Sequence, residues 1–300
     1  MLHLRKANPT LVFLLIAFGV PWLVQIFMAL KRVPLIPVWP GLIVANSFCS
    51  VAGFVAAYCQ SGWAGVAELG HRCVSYRASK GWWAYTLLLC FGIANVATIA
   101  YGLVHGTVGP LKLSALADQW WLPFTLLAGF IFGPLGEEAG WRGYLLPHLL
   151  SHYSPLASSL ILGLIAAIWH FPEGLIVGSP SYFHSLIGLL FFTASVTCMS
   201  ILTTILVLHT RMSVFHAIVF HWTVIPSITI SQIIFPASQE PPDWVRAISL
   251  ITFTLVATVI FRKRLFSDPC PLPHLQPERR SSVDVTSPSR SLKGFFATNH

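Results

Sequence analysis

One short stretch of this 300-residue chain concentrates charged side chains inside an otherwise apolar segment. It holds two adjacent glutamates and an arginine, Glu137, Glu138 and Arg142. An ionisable side chain in hydrocarbon costs about 2.5–3.5 kcal/mol even on lenient insertion scales, so each is a functional candidate by default. Glu138 and Arg142 are four residues apart on one helical face, which favours an ion pair. Glu137 points about 100° away and is left free to face a cavity. The alternative is that the three charges only lock helices together.

Two histidines in other apolar segments extend this set of candidates. His170 ends one segment just before Pro172, and His221 lies inside another. A lone histidine in an apolar helix is commonly a packing residue, but this chain also places an unpaired glutamate in hydrocarbon. We therefore predict that Glu137, His170 and His221 meet in one water-accessible cavity, where contact with each other or with water makes all three tolerable. Glu173 is interpreted as a loop carboxylate that could approach His170.

The elements that must hold these residues are membrane helices. Hydrophobic residues make up 55% of the chain, charged residues 9%, and the mean hydropathy is +0.71, whereas a soluble domain carries about 25% charged residues. This composition excludes a soluble, disordered or fibrous protein. The net charge of +8 does not indicate nucleic-acid binding, because seven of the 18 Lys and Arg residues lie in the last 39 residues. The six cysteines form no CxxC pair and predict no disulfide framework or thiolate metal site.

Eight apolar segments are close to the length of about 20 residues that one bilayer crossing needs. Backbone groups in lipid must hydrogen-bond within their own segment, so these segments should be helices. We predict an all-α, polytopic membrane protein with about eight transmembrane helices around an intramembrane polar cavity. The segments are Thr10–Leu30, Pro40–Tyr58, Trp82–Val104, Trp121–Leu150, Pro155–Phe171, Phe183–Leu208, Val214–Phe235 and Trp244–Phe261.

Orientation and domain limits follow from the charged flanks. The loops on one side of the eight-helix arrangement, with both termini, hold 13 Lys and Arg residues, against 4 in the alternate loops. Cytoplasmic flanks carry the excess of cations, so both termini are predicted to be cytoplasmic. Residues 1–262 would form the transmembrane domain, and residues 263–300 a disordered, basic, Ser- and Pro-rich cytoplasmic tail. Residues 61–80 are either an amphipathic interfacial piece or a plain solvated loop.

The stretch Pro134–Pro147 reads PLGEEAGWRGYLLP and resembles the EExxxR motif of the CPBP family. This family comprises the type II CAAX prenyl endopeptidases and their bacterial Abi relatives. The Trp-His-Phe-Pro sequence at 169–172 is similar to the family's second motif, and Arg211–Ile225 is similar to its third. The resemblance covers a motif core of about residues 120–226.

The resemblance implies peptide-bond hydrolysis within the membrane, without a covalent intermediate. On the matching positions, Glu137 and His170 would activate the attacking water. Glu138 and Arg142 would orient and stabilise their helix, and His221 would help to bind the oxyanion. The family has been described as metalloproteases, and a zinc ion on Glu137, His170 and His221 is one option. The chain has no HExxH motif, so the sequence leaves the cofactor and any metal ligand undetermined.

Two positions depart from the family pattern. Ala166 stands where the second motif usually has phenylalanine, and Ile225 where the third usually has asparagine. An oxyanion donor of this kind is typically worth about 10²–10³ in rate. His216, Thr223 and Ser227 are the candidates to replace the missing amide.

Three functions from different classes remain open at this point. The first is an intramembrane endopeptidase of the CAAX prenyl protease type, processing the C-termini of prenylated or other membrane-associated peptides in the lipid bilayer. The second is a non-catalytic scaffold or binding protein that keeps the protease fold, and the third is a proton-coupled transporter. The transporter ranks last because the charges cluster in one half of the chain and no internal repeat is evident. The membrane would be the endoplasmic reticulum in a eukaryote or the plasma membrane in a bacterium.

Overall fold

The computed structural model describes residues 8–31, 39–176, 185–236 and 238–269, without the side chains of residues 39–43, 132 and 225. All regular secondary structure within these ranges is helical. The helices are α1 (Pro9–Lys31), α2 (Trp39–Val74), α3 (Lys80–His105), α4 (Leu122–Phe132), α5 (Pro134–Gly140), α6 (Leu146–Leu150), α7 (Pro155–Trp169), α8 (Leu186–His209), α9 (Val214–Trp222), α10 (Val224–Ile234), α11 (Asp243–Ile260) and α12 (Arg262–Leu265). The chain is an all-α, polytopic membrane protein, as its composition predicts.

Six helical stretches of the described residues are long and apolar enough to cross a bilayer. They coincide with six of the eight predicted segments. The other two segments are the beginning of α2 and the stretch from α4 to α6, so the total of eight remains a prediction. The helix α2 continues to Val74 with a kink at Gly62, where φ is 64°. Glycine adopts a positive φ without strain, so the chain can bend at this residue. Most of the 61–80 stretch is helix rather than loop, because α2 continues to Val74.

The predicted fourth segment, Trp121–Leu150, is not one continuous helix. It breaks at Gly133, where φ is −128° and ψ is −78°, because the residue before a proline is sterically driven out of the α conformation. Pro134 then begins α5. A π-helical turn, Trp141–Leu145, follows α5 directly, and such turns are frequently found at functional sites. Glu137 and Glu138 thus lie in a seven-residue helix between two irregularities.

The predicted seventh segment is also interrupted, at Thr223 between α9 and α10. Pro226 lies three residues further on and cannot donate a backbone hydrogen bond to the carbonyl four residues before it. The helix therefore ends at Trp222 and restarts, and His221 is placed in the last turn of α9.

The helices α2 and α5 pack with their backbones in contact. A Cβ atom added at Gly140 would lie 2.3 Å from the carbonyl oxygen of Cys49, and one added at Gly53 would lie 2.7 Å from that of Ala139. Small residues at such positions let membrane helices approach closely. This contact fixes α5, and with it both glutamates, against α2.

Two indole hydrogen bonds tie α1 to the end of α7. Trp22 Nε1 donates to the carbonyl of Trp169 over 3.0 Å, and Trp169 Nε1 donates to the carbonyl of Ala17 over 2.7 Å. Trp169 is fully buried and directly precedes His170. The N-terminal helix therefore helps to position the second motif, which contains His170.

Hydrogen bonds near the ends of the helices connect segments that the cation count places on the same side of the bundle. At one end of the bundle Thr10 Oγ1 lies 3.3 Å from His148 Nε2, and Ser213 donates to the carbonyl of Ser75. At the other end the Lys112 amide donates to Ile234 over 2.8 Å. Which end is cytoplasmic remains a prediction.

The packed part of the chain extends slightly beyond the predicted boundary at residue 262. Leu265 in α12 is fully buried and packs against Ile205 and Leu156. The rest of the predicted tail, residues 270–300, lies outside the described residues.

Candidate active site

Glu138 is the centre of a buried charged cluster between α5, the π-turn and α9. Its Oε1 accepts from Arg142 Nη1 over 2.9 Å, which confirms the pair predicted from the four-residue spacing. The same oxygen lies 2.7 Å from His221 Nδ1, across 83 residues of sequence. The cluster therefore joins the first motif to the third.

The two charged side chains of this cluster, Glu138 and Arg142, are buried in the protein interior. Glu138 is 0% exposed, and its Oε2 has no hydrogen-bond partner within the described residues. Arg142 is also buried, and its Nε likewise has no hydrogen-bond partner within the described residues. A buried carboxylate is tolerated only when it is paired and hydrogen-bonded, so Glu138 depends on Arg142 and His221.

The His221 ring has one fixed and one free nitrogen. Nδ1 donates to Glu138, while Nε2 makes no hydrogen bond within the described part of the chain, and 32% of the side chain is exposed. A carboxylate partner on one ring nitrogen fixes the orientation of the imidazole and decides which nitrogen can meet a substrate. The available nitrogen is Nε2.

Glu137 points in a different direction, as the 100° step along a helix requires. It is only 4% exposed, and its carboxylate forms no hydrogen bond with any residue that the structure describes. Its Oε1 lies 3.7 Å from the position that a Cβ atom of Gly133 would occupy. The side chain therefore lies over the break between α4 and α5.

His170 pairs with Glu173 at the start of the turn that follows α7. Nδ1 lies 3.2 Å from Glu173 Oε2, and 25% of the His170 side chain is exposed. The ring packs edge-on against Trp169 and Phe192. The hydrogen bonds of this ring within the described residues do not include the Glu137 carboxylate.

The structure thus groups the five predicted residues differently from the sequence prediction. His221 joins Glu138 rather than Glu137, and His170 takes Glu173 as its partner. Convergence of Glu137, His170 and His221 on one wet cavity remains a prediction. Two surface pockets of the described residues lie elsewhere, beside His148 and His152 and beside Arg72.

The described residues provide no complete set of ligands for a zinc ion. Within the described residues, no three His, Cys, Asp or Glu side chains are close enough together to hold a metal ion. Glu137, His170 and His221 therefore do not form the triad that zinc would need in this arrangement.

The three candidates to replace the missing amide at position 225 are engaged elsewhere. His216 is buried between Thr86 Oγ1, 3.0 Å from Nδ1, and the carbonyl of Tyr76, 3.1 Å from Nε2. The hydroxyls of Thr223 and Ser227 donate to backbone carbonyls in their own turns, over 2.7 and 2.6 Å. None of the three has a free donor for a substrate.

Sequence reasoning missed one polar pair near the site. Gln25 Nε2 on α1 donates to Asn46 Oδ1 on α2 over 3.1 Å. Both residues stand inside apolar segments, so the principle that selected the charges could have selected these amides too.

The region that contains the cluster is similar to known proteases. Residues 119–225 match the family model described as type II CAAX prenyl endopeptidase Rce1-like. The chain is also 31% identical over 134 residues to CAAX prenyl protease 2 of Methanococcus maripaludis. The aligned region covers 43% of this chain and 47% of that protein. The chain thus spans about half the length of this curated relative. All five predicted site residues lie within the matched segment, so the similarity to the type II CAAX prenyl endopeptidases of the CPBP family covers the whole candidate site.

Proposed function

We propose that the protein is an intramembrane endopeptidase that hydrolyses a peptide bond near the C-terminus of prenylated, CAAX-type proteins. A lipidated C-terminus reaches a membrane-embedded site without leaving the bilayer surface. The relative in Methanococcus maripaludis is a CAAX prenyl protease by name, and this supports the substrate class.

The observation that carries the proposal is the buried hydrogen bond between Glu138 and His221. It fixes the imidazole so that Nε2 can meet the scissile carbonyl. When the ring is protonated, Nε2 donates to the carbonyl oxygen as that oxygen becomes negatively charged. Arg142 holds the Glu138 carboxylate in place, so these two residues position His221 rather than touch the substrate. Preorganised donors of this kind in a dry site are a major source of rate acceleration.

Glu137 is the general base in this mechanism. Its carboxylate has no hydrogen-bond partner among the described residues, and it accepts a proton from a water molecule that His170 helps to orient. The oxygen of that water bonds to the carbonyl carbon, and the intermediate collapses as the C–N bond breaks. The proton held by Glu137 passes to the departing amine. General-base catalysis by a positioned carboxylate contributes about 10²–10⁴ in rate.

Cleavage of a farnesylated CAAX peptide by the purified protein in lipid nanodiscs tests this proposal. Glu137→Gln keeps the shape of the side chain but cannot accept the proton, so tripeptide release should fall at least 100-fold with folding preserved. Glu240→Gln makes the same change on an exposed carboxylate and should cleave at the wild-type rate. Wild-type turnover by Glu137→Gln would refute the assigned base.

A non-catalytic binding protein is the second candidate, and one observation favours it. Position 225 lacks the amide, and the three nearby donors are engaged in internal hydrogen bonds. If the wild-type protein binds the farnesylated peptide in nanodiscs but releases no tripeptide, this second function is correct and the first is wrong.

A further inference from the structure

The amide pair Gln25–Asn46 lies on the inner surface of α1 and α2. Along α2, Val44 and Val51 are 62% and 45% exposed and mark the lipid-facing side. Asn46 lies about 200° from Val44 on a helix of 3.6 residues per turn. It shares its face with Cys49 and Gly53, which contact α5. Asn46 therefore faces the protein interior, toward the helix that carries the two glutamates.

The height of Asn46 along the bundle matches that of Glu137. Ser47, its neighbour, has its Cα 3.0 Å from the position of a Gly136 Cβ atom, and Gly136 directly precedes Glu137. The Glu137 carboxylate leans back over Gly133, one turn nearer the start of α5. Since α2 and α5 run in the same direction through this contact, the start of α5 lies beside Asn46.

Gln25 links the same pair to the His170 side of the site. It lies one helical turn after Trp22, which donates to the carbonyl of Trp169, the residue before His170. The 3₁₀ turn Phe171–Leu175, which carries the His170 partner, also packs against α1. The helices that carry the two amides therefore contact both α5, which holds Glu137, and the end of α7, which precedes His170.

The hydrogen bonding of the pair is incomplete in a way that packing alone does not explain. Gln25 is fully buried, yet its Oε1 has no partner within the described residues. Its Nε2 holds Asn46 Oδ1, which turns the Asn46 Nδ2 group away from Gln25. That Nδ2 group makes no hydrogen bond to any described residue and is not among the fully buried unpaired atoms. It is an oriented donor without an acceptor among the described residues.

We propose that Asn46, oriented by Gln25, donates a hydrogen bond to the scissile carbonyl oxygen and supplies the amide that position 225 lacks. This inference rests on the proposed endopeptidase function. As water attacks and negative charge develops on that oxygen, Asn46 Nδ2 stabilises it together with His221 Nε2. Gln25 touches no substrate atom and is a positioning residue.

Two measurements on Asn46 variants in nanodiscs test the proposal. Asn46→Asp keeps an oxygen for Gln25 and removes the Nδ2 donor, and Asn46→Ala removes both without adding charge. We expect both to lower kcat by about 10²–10³ with KM unchanged. The affinity for a farnesylated phosphinate peptide, whose tetrahedral phosphorus mimics the attacked carbonyl, should fall by the same factor. Gln25→Leu should lower both quantities less, about tenfold.

Asn95 provides the matched control. This amide in α3 is engaged on both sides, donating to Phe91 over 2.8 Å and accepting from Ser231 over 3.1 Å. Asn95→Asp should lower the Tm without changing phosphinate affinity relative to substrate affinity. Adding Ile225→Asn to the Asn46→Ala variant should restore part of the lost kcat, because it supplies an amide at position 225.

The outcomes separate this inference from the proposed function. If Glu137→Gln is inactive while both Asn46 variants cleave and bind phosphinate like the wild type, the Asn46 role is wrong and the endopeptidase function stands. If the Asn46 variants lose Tm and kcat but keep the wild-type ratio of phosphinate to substrate affinity, their role is structural and the inference is overturned. A wild-type protein that neither cleaves the peptide nor binds the phosphinate overturns both.

Discussion

Arg142→Ala should destabilise the protein strongly, because it removes the main partner of a fully buried carboxylate. Glu138 Oε1 accepts from Arg142 and His221 over 2.9 and 2.7 Å, and Oε2 has no partner among the described residues. Removing one partner of a buried ion pair costs about 3–5 kcal/mol. Since His221 still holds the carboxylate, we expect a loss near the lower end, about 3 kcal/mol.

A double-mutant cycle measures this coupling. Glu138→Ala removes the stranded charge, so the double variant Glu138→Ala/Arg142→Ala should lose at least about 1 kcal/mol less than the sum of the single variants. The free energy of unfolding is measured by titrating detergent micelles with sodium dodecyl sulfate while following tryptophan fluorescence. Additive losses would show that the two side chains do not interact, contrary to the structure.

Arg246→Ala is the control for loss of an arginine as such. Arg246 pairs with Glu240 and Asp243 near the surface, where both carboxylates are largely exposed. Exposed ion pairs contribute about 0–1 kcal/mol. If Arg246→Ala destabilised the protein as much as Arg142→Ala, burial could not be the reason for the large effect at Arg142.

Three further predictions concern packing, topology and reactivity. Gly140→Ala should cost about 1–3 kcal/mol of unfolding free energy, because its Cβ would lie 2.3 Å from a carbonyl oxygen of α2, whereas Gly129→Ala meets nothing within 4 Å and should be neutral. A tag after His300 should be cleaved by protease from the cytoplasmic side of sealed vesicles, and protection would refute the predicted orientation. Burial raises the pKa of the Cys73 thiol from 9.0 to about 11, so at pH 7.5 iodoacetamide should label it roughly 100-fold more slowly than an exposed thiol, as mass spectrometry of the labelled peptide can show.

Local sequence relationships predicted part of the site. The Glu138–Arg142 pair depends only on helical spacing, and its prediction is confirmed. The helix breaks were also encoded locally, by Pro134 and Pro226, but a criterion based on apolar length does not register them. Pro134 and Pro226 lie at or close to helix ends inside apolar stretches, whereas Pro21 lies within the unbroken helix α1.

Contacts between distant segments could not be predicted from the sequence. Glu138 and His221 are 83 positions apart with no periodicity that brings them together, and only the packing of α9 against α5 does so. The same holds for the Gln25–Asn46 bond, which depends on how α1 and α2 cross. A sequence shows which polar groups need partners in the membrane, but the fold decides which partner each one receives.

The indole bonds between α1 and α7 set an order of events in biosynthesis. Trp22 leaves the ribosome 147 residues before the carbonyl that it binds at Trp169. At about 5–20 residues per second, this interval lasts roughly 7–30 s. Early in that interval α2 is the first helix to follow α1, so it is the first partner that the inner face of α1, including the Gln25 amide, can contact. The α1–α2 pair is thus the first assembled unit, and the Gln25–Asn46 hydrogen bond gives each amide one partner before the motif-bearing helices arrive. Residues 119–225 alone lack this pair, so the segment that carries the family motifs should not fold when it is expressed by itself.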